Sequence, residues 1–240
     1  MERKSFLIIL LFFVSGILYY LIFVYPQKNI SNNFIEENVL VKKVVDGDTL
    51  VLNDSRKVRL LGINTPEKGK FFSDKALNFS KILENKSILL RYKEKDKYGR
   101  ILGYVIYEEK NINEELLKKG LAHLFVYEKD SFYETLKEAE EKAKKNELGI
   151  WKKSKNFGCL ELVEFKYKEN SGRCKNEEKL VLKNNCEKIQ VLIKDDATHQ
   201  FLENISKGYF EKNFSCIFND EGDSLYIWDE EGLVLFYRYP

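Results

Sequence analysis

Residues 38–64, NVLVKKVVDGDTLVLNDSRKVRLLGIN, restrict the fold more than any other stretch. Three short runs rich in β-formers, Val39 to Val45, Thr49 to Leu52 and Lys57 to Ile63, are separated only by DGD and NDS. Linkers that short leave room for tight reversals and nothing else, so the segment reads as a strand meander. FFSDKALNFSKILEN follows, with Phe72, Ala76, Phe79 and Leu83 at helical spacing. KSILLRYKEKD and GRILGYVIYE read as two further strands. A second helix, NINEELLKKGLA, is expected to start at a capping-type Asn113 and to stop at Gly120. A third, within DSFYETLKEAEEKAKKNELGIW, puts Phe132, Leu136, Ala139 and Ala143 on one face. Five strands with interspersed helices predict a small OB-type β-barrel with three helices over 38–154.

Near residue 155 the character changes. CLELVEFKY, EKLVLKNN, IQVLIKD, DSLYIWD and LVLFYRYP are strand-like runs, which predict a small immunoglobulin-like β-sandwich over 155–240. All four cysteines, Cys159, Cys174, Cys186 and Cys216, lie here. None forms a C-x-x-C, so zinc is not expected. One or two disulfides are expected in an exported segment, with free thiols as the alternative and the connectivity open.

Export is suggested by the other end of the chain. Phe6 to Tyr25 is an almost unbroken apolar run, preceded by Arg3 and Lys4, with the next basic residue at Lys28. Its length suits a membrane-spanning helix better than the core of a cleaved signal. The charge asymmetry places residues 1–5 in the cytoplasm and, beyond a polar linker at 26–37, both domains outside the membrane. Secretion after cleavage is the alternative. The net charge of +2 does not by itself argue for nucleic acid, so a basic site would have to be local.

The polar residues of the first domain supply such a site. Asp46 and Asp48 lie in the DGDT turn, Arg59 on a strand ending in GINTPE, and Arg100 at the end of DKYGR. Carboxylates on adjacent turns suit a hard cation, paired guanidinium forks suit a phosphate, and a further carboxylate such as Glu67 suits activation of a water. Singly, each reads as a turn residue or a surface ion pair. The basic run Arg91, Lys93, Lys95 and Lys97 reads as a solvated strand edge. Tyr98 reads as a turn residue, and His123 and His199 as neither ligand nor base.

VVDGDTLVL, VRLLGINTPE, DKYGRILGYVIYEEKNINEELLKKGLAHL and AEEKAKKNELGIW together resemble the staphylococcal nuclease (thermonuclease) family over residues 38–152. The resemblance implies calcium-dependent hydrolysis of DNA and RNA that leaves 3′-phosphates. By position it implies Asp48 as a calcium ligand, with Thr65 offering its carbonyl. Arg59 would bind the scissile phosphate, Glu67 would orient or deprotonate water, and Arg100 would assist the leaving oxygen. Asn64 stands where the best-known member has a second aspartate ligand, so weaker calcium binding is expected with the fold unaffected. Ala76 follows Glu67 after only nine positions, which shortens a loop that is longer and mobile in that member. Phe125 and Tyr127 fall near the family's base-stacking tyrosines but one residue out of register, so core packing is the first expectation for them and base stacking the second. EKLVLKNNC and EGDSLYIWDEEGLVLFYRYP resemble the lamin tail domain, thought to aid binding or attachment. The leading expectation is a monomeric, membrane-anchored nuclease acting on DNA or RNA. The alternatives are a non-catalytic nucleic-acid-binding OB-fold module and a surface adhesin in which the second domain acts.

Overall fold

The computed structural model describes residues 34–167, 178–219 and 222–239. The expected membrane span at 6–25 and Cys174 lie outside the described residues, and no described helix is long and apolar enough to cross a membrane.

The first domain is a closed barrel. Its strands are β1 (Ile35–Val44), β2 (Thr49–Leu52), β3 (Lys57–Leu60), β5 (Ser87–Lys95) and β6 (Ile101–Tyr107). They run in the order β3-β2-β1-β5-β6, and a parallel β3–β6 pairing closes the ring. The run expected at 57–63 is broken after Leu60. Ile63–Asn64 leaves the barrel as a separate strand, β4, which pairs with β8 (His123–Leu124). Strand β7 (Lys110–Asn111) extends the sheet beyond β6. The helices are α1 (Ser73–Ser80), α2 (Ile112–Lys118) and α3 (Tyr133–Lys145). Inward-pointing Val41, Leu50, Leu52, Val58, Leu60, Leu90, Ile101 and Val105 form one core with Ala76, Leu116, Leu117 and Leu136. The strand periodicity of two and the helical periodicity of 3.6 thus meet on one apolar surface.

The cap of α2 differs from expectation. Asn111, not Asn113, accepts hydrogen bonds from the amides of Asn113 and Glu114. Asn113 is wholly buried and works as a staple. It accepts from the Val105 amide and donates to the carbonyls of Leu61 and Gly103. A buried amide with its donors and acceptor paired fixes the helix to the barrel at the point where β3 gives way to β4.

The second domain has two sheets around one core. One contains β9 (Leu160–Lys166), β10 (Glu178–Asn184) and β13 (Gly208–Phe214). The other contains β11 (Ile189–Lys194), β12 (Gln200–Ile205), β14 (Asp223–Trp228) and β15 (Leu233–Tyr239). Leu180 and Leu182 of the first sheet share a core with Val191, Ile193, Leu225 and Ile227 of the second. Strands β12 and β13 were not expected from the sequence. Exposed Leu202 and Tyr209 stand among Asn204, Glu211 and Asn213 on their outer faces, so neither run shows a clean alternation of apolar and polar residues. Cys159 and Cys186 form a disulfide across 27 residues of chain, and Cys216 is also disulfide-bonded.

The two domains share a third apolar core. Ala143, Ile150 and Trp151 from the end of the barrel pack with Leu192, Tyr226, Trp228 and Leu233, and Phe71, Phe72 and Phe236 flank them. The Trp228 indole donates to the Ile150 carbonyl at 2.8 Å. The short segment after Glu67 therefore carries two phenylalanines into the interface. At Gly232, a Cβ would stand 2.2 Å from the Lys152 carbonyl oxygen. Only glycine lets the β14–β15 hairpin approach the chain leaving the barrel this closely.

Candidate active site

The turn between β1 and β2 is built by its own carboxylates. Asp46 Oδ1 accepts the Asp48 amide at 3.1 Å, and the Asp48 carbonyl accepts the Leu60 amide at 2.8 Å. Gly47 between them lies against α1. A Cβ there would meet the Ala76 Cβ at 2.7 Å and the Thr65 side chain at 2.8 Å. The missing side chain is what brings α1, the DGDT turn and Thr65 together.

Asp48 is buried at the centre. Its Oδ2 accepts both the amide and the hydroxyl of Thr65 at 2.7 Å and lies 3.3 Å from Arg59 Nη1. Its Oδ1 accepts the Thr49 hydroxyl at 3.2 Å. Arg59 is oriented further by the Leu60 carbonyl at 2.8 Å and by Asn64 Oδ1 at 2.9 Å. Burial, and next the charge of Asp48, pushes the Asp46 carboxyl above the usual carboxylate range. A cation between the two would relieve that repulsion on Asp46.

Strand β4 does two things. Its pairing, Ile63 with Leu124 and Asn64 with His123, aims Thr65, Pro66 and Glu67 into the cleft. The same pairing delivers Phe125, whose amide donates to the Gly62 carbonyl at 3.0 Å. Phe125 and Tyr127 then pack edge to face with ring centroids 4.9 Å apart. Tyr127 is 88% exposed, so the pair is a surface feature and not part of the core. Downstream, Asp130 accepts the Tyr104 hydroxyl at 2.8 Å and ties the loop back to the barrel.

Arg100 comes from the opposite rim. Asp96 organises the DKYGR turn by accepting the amides of Tyr98 and Arg100 and by holding Arg100 Nε at 2.7 Å. Burial acts to raise the Asp96 carboxyl, but the Arg100 and backbone hydrogen bonds outweigh it and hold the carboxyl below its ordinary range. With Nε anchored, the terminal nitrogens of Arg100 are left for a ligand. Asp96 is a positioning residue that sequence reasoning did not single out. The signal was present, an Asp four residues before the Arg in a turn, but a turn acid has many other uses.

Asp48, Arg59, Asn64, Thr65, Glu67, Arg100, Phe125 and Tyr127 thus line one cleft of about 560 Å³, together with Asp46, Asp96 and Tyr98. It also has a wall that the sequence did not foretell, because Ala197 and Thr198 of the second domain line it too. The carboxylates of Asp46, Asp48 and Glu67 and the hydroxyl of Thr65 that line it offer only oxygens, which fits a hard cation such as calcium. Among the described residues no three His, Cys, Asp or Glu side chains are grouped to hold a metal alone. A cation here would need hydroxyl, backbone or water oxygens as well. The Asn64 amide is otherwise engaged, its oxygen by Arg59 and its nitrogen by the carbonyls of Asp196 and Ala197 at 3.0 and 2.9 Å.

Residues 57–153 match the family model described as Staphylococcal nuclease homologue. The chain is 37% identical over 141 residues to a thermonuclease of Staphylococcus intermedius, covering 53% of this chain and 84% of that protein. It is 38% identical over 117 residues to an uncharacterized endonuclease of Haemophilus influenzae, covering 46% and 64%. It is 34% identical over 132 residues to endonuclease YncB of Bacillus subtilis, covering 49% and 63%. The family match ends at residue 153 and does not reach the second domain, so the lamin-tail resemblance expected from EKLVLKNNC and EGDSLYIWDEEGLVLFYRYP gains no support from it. A cleft in which two arginines face a carboxylate-rich turn, and relatives named for nuclease activity, agree: the chain belongs to the staphylococcal nuclease family.

Proposed function

We propose that the protein is a calcium-dependent nuclease that hydrolyses phosphodiester bonds of DNA or RNA and leaves 3′-phosphates. The convergence of Arg59, Glu67 and Arg100 on the cleft that holds Asp48 carries the reading. In the family, binding modules without catalysis are expected to lose these groups.

Each side chain then has a task. Arg59, held by Asp48 and Asn64, presents its fork to the scissile phosphate. Preorganised charge of this kind stabilises the charge that develops as the phosphorus becomes five-coordinate. Glu67 is exposed at the cleft edge and takes a proton from a water. The water oxygen forms its bond to phosphorus while the bond from phosphorus to the 5′-oxygen breaks. Arg100 stabilises the departing oxygen, which takes its proton from solvent. Asp48 and Thr65, with Asp46 nearby, would hold the calcium ion, and bound there it would supply further charge stabilisation to the phosphate. Phe125 and Tyr127 offer rings on which a base stacks, worth about 1–3 kcal/mol per base.

The apolar run at 6–25, preceded by Arg3 and Lys4, supports a single-pass anchor with the N-terminus in the cytoplasm and both domains outside. The disulfide at Cys159 and Cys186 is consistent with that side of the membrane.

The test is turnover of single-stranded DNA in calcium against chelator, alongside Glu67→Gln. Calcium-dependent cutting that falls about 10²–10⁴-fold in the variant is expected. DNA bound but left intact across divalent ions would replace this reading with that of a binding module.

A further inference from the structure

We propose that the Asp195–His199 loop of the second domain is a substrate-contacting wall of the cleft, seated there by Asn64. The inference rests on the nuclease reading of the same cleft and assigns it a specificity element.

Asn64 is 4% exposed, and its side-chain nitrogen donates to two main-chain carbonyls of the loop, those of Asp196 and Ala197. Its oxygen accepts from Arg59. One amide therefore links the phosphate-facing guanidinium to the second domain. A carboxylate could not make this link, because its oxygen would stand about 3 Å from two carbonyl oxygens with no proton between them. Asparagine at 64 is thus explained by the second domain.

The loop is a fixed wall, not a lid. Its Ala197 carbonyl accepts from the Lys194 ammonium at 2.5 Å as well as from Asn64, and the Asp195 carbonyl accepts from Lys194 at 2.7 Å. The Asp195 carboxylate accepts the amide and the ring nitrogen of His199. The Asp196 amide donates to Asp223, and the Asp196 carboxylate accepts the hydroxyls of Tyr226 and Ser224. With these groups paired, the loop has little freedom to swing away.

Held there, Ala197 and Thr198 border the same space as Phe125 and Tyr127. Phe125, Tyr127 and Ala197 also border a second groove, of about 560 Å³, which runs on between the domains past Tyr133 and Tyr239. A cleft of about 560 Å³ is in the range of small-ligand pockets, about 300–1,000 Å³. It takes a short stretch of one strand with its bases turned onto the aromatic rings.

Hydrogen exchange on the full chain carrying Glu67→Gln, in calcium, with and without a short oligothymidylate, tests this. The oligonucleotide is expected to slow exchange at 195–199 as well as near Thr65. Adding Asn64→Asp should speed the free-state exchange of the Asp196 and His199 amides about tenfold or more. It should also abolish their protection by the oligonucleotide. Thr198→Glu, at an exposed position, should raise the dissociation constant about fivefold at low ionic strength, with the effect shrinking as salt is added. Loop exchange unchanged in Asn64→Asp overturns the seating role. Protection near Thr65 without protection at 195–199, or an unchanged dissociation constant in Thr198→Glu, overturns the wall. Protection nowhere overturns the nucleic-acid reading itself.

Discussion

The second domain can form part of the cleft only if its seat on the barrel is rigid, and Glu140 is where that is best measured. Glu140 lies on α3 and is completely buried. Its Oε1 accepts the Leu124 amide at 2.7 Å, next to the β4–β8 pair that aims the site. Its Oε2 accepts Lys144 Nζ at 2.8 Å and Arg238 Nη1, from the second domain, at 3.0 Å. Glu140→Gln keeps the shape. If the amide oxygen takes the Oε1 place, the NH2 group faces two cations. If it flips, the buried Leu124 amide loses its acceptor. Each charge-assisted hydrogen bond is worth about 1.5–3 kcal/mol, and breaking a buried ion pair costs about 3–5 kcal/mol. The side chains of Lys144 and Arg238 keep 18% and 32% of their exposure, so water recovers part of the loss. A cost near the low end, about 3 kcal/mol, is expected. Trp151 and Trp228, the two tryptophans of the chain, both lie in the shared core, so their fluorescence reports on this interface during urea unfolding. With a urea slope of about 1–3 kcal/mol per molar, the midpoint should fall by roughly 1–3 M. Arg238→Met should cost less, and the double variant should fall short of the sum by about 1–2 kcal/mol. A midpoint within 0.2 M of the parent (about the precision of such a comparison), or strict additivity of the pair, would refute the claim that this ion pair joins the domains.

Other consequences can be checked on the same protein. His123 is buried against Tyr226 and held neutral by burial first and then by the nearby charges of Lys194, Arg238 and Arg59, so its ring titrates well below 6.5. Between that value and 6.5 the unfolded chain holds a proton that the folded chain lacks, so stability falls as pH falls. From pH 7 to 5.5 the parent should lose about 1 kcal/mol relative to His123→Gln in parallel urea melts, and equal losses would refute the argument. Calcium at about a hundred times its dissociation constant should stabilise the parent by about 2.7 kcal/mol, and Asp48→Asn should show little of this in a thermal melt at the same concentration. Equal calcium shifts in both would remove Asp48 from the ion's ligands. Replacing Cys159 and Cys186 by serine should cost about 3 kcal/mol through the freed loop, and a melt unchanged by the pair would count against that model.

The parts of this molecule that were legible in sequence are those whose physics is local. The meander at 39–63 showed because strand alternation and turn length act within a few residues. The eight residues expected at the site, which line one cleft, could be named because the motifs that carry them are contiguous. The helix cap was misplaced by two residues because Asn111 and Asn113 are equally good caps taken alone. Which of them caps depends on where the Leu61 and Gly103 carbonyls lie in space. Strands β12 and β13 were missed because their outward faces mix Leu202 and Tyr209 with Asn204, Glu211 and Asn213, which blurs the strand alternation. The wall at 195–199 left no trace, since Asn64 contacts main-chain carbonyls more than 130 residues away. Every residue has a carbonyl, so nothing in the loop's side chains announces the contact.

Read as separate beads, the barrel would hold the chemistry and the second domain would be an attachment. The geometry favours a different division. The proposed catalytic groups all lie on the barrel, but the cleft they face is bounded by Ala197 and Thr198, and Lys194 stands close enough to feel the charge of Glu67. The shared core around Trp151 and Trp228 fixes the distance between the domains, while the Asn64 amide fixes the register of one loop against one arginine. These are separable functions. Changes in the shared core should lower stability and turnover together, because they loosen the whole seat. Changes confined to 195–199 should alter which strands are cut while the melt stays put. A second-domain variant that changed substrate choice through the shared core, with the loop's exchange intact, would place the specificity element elsewhere.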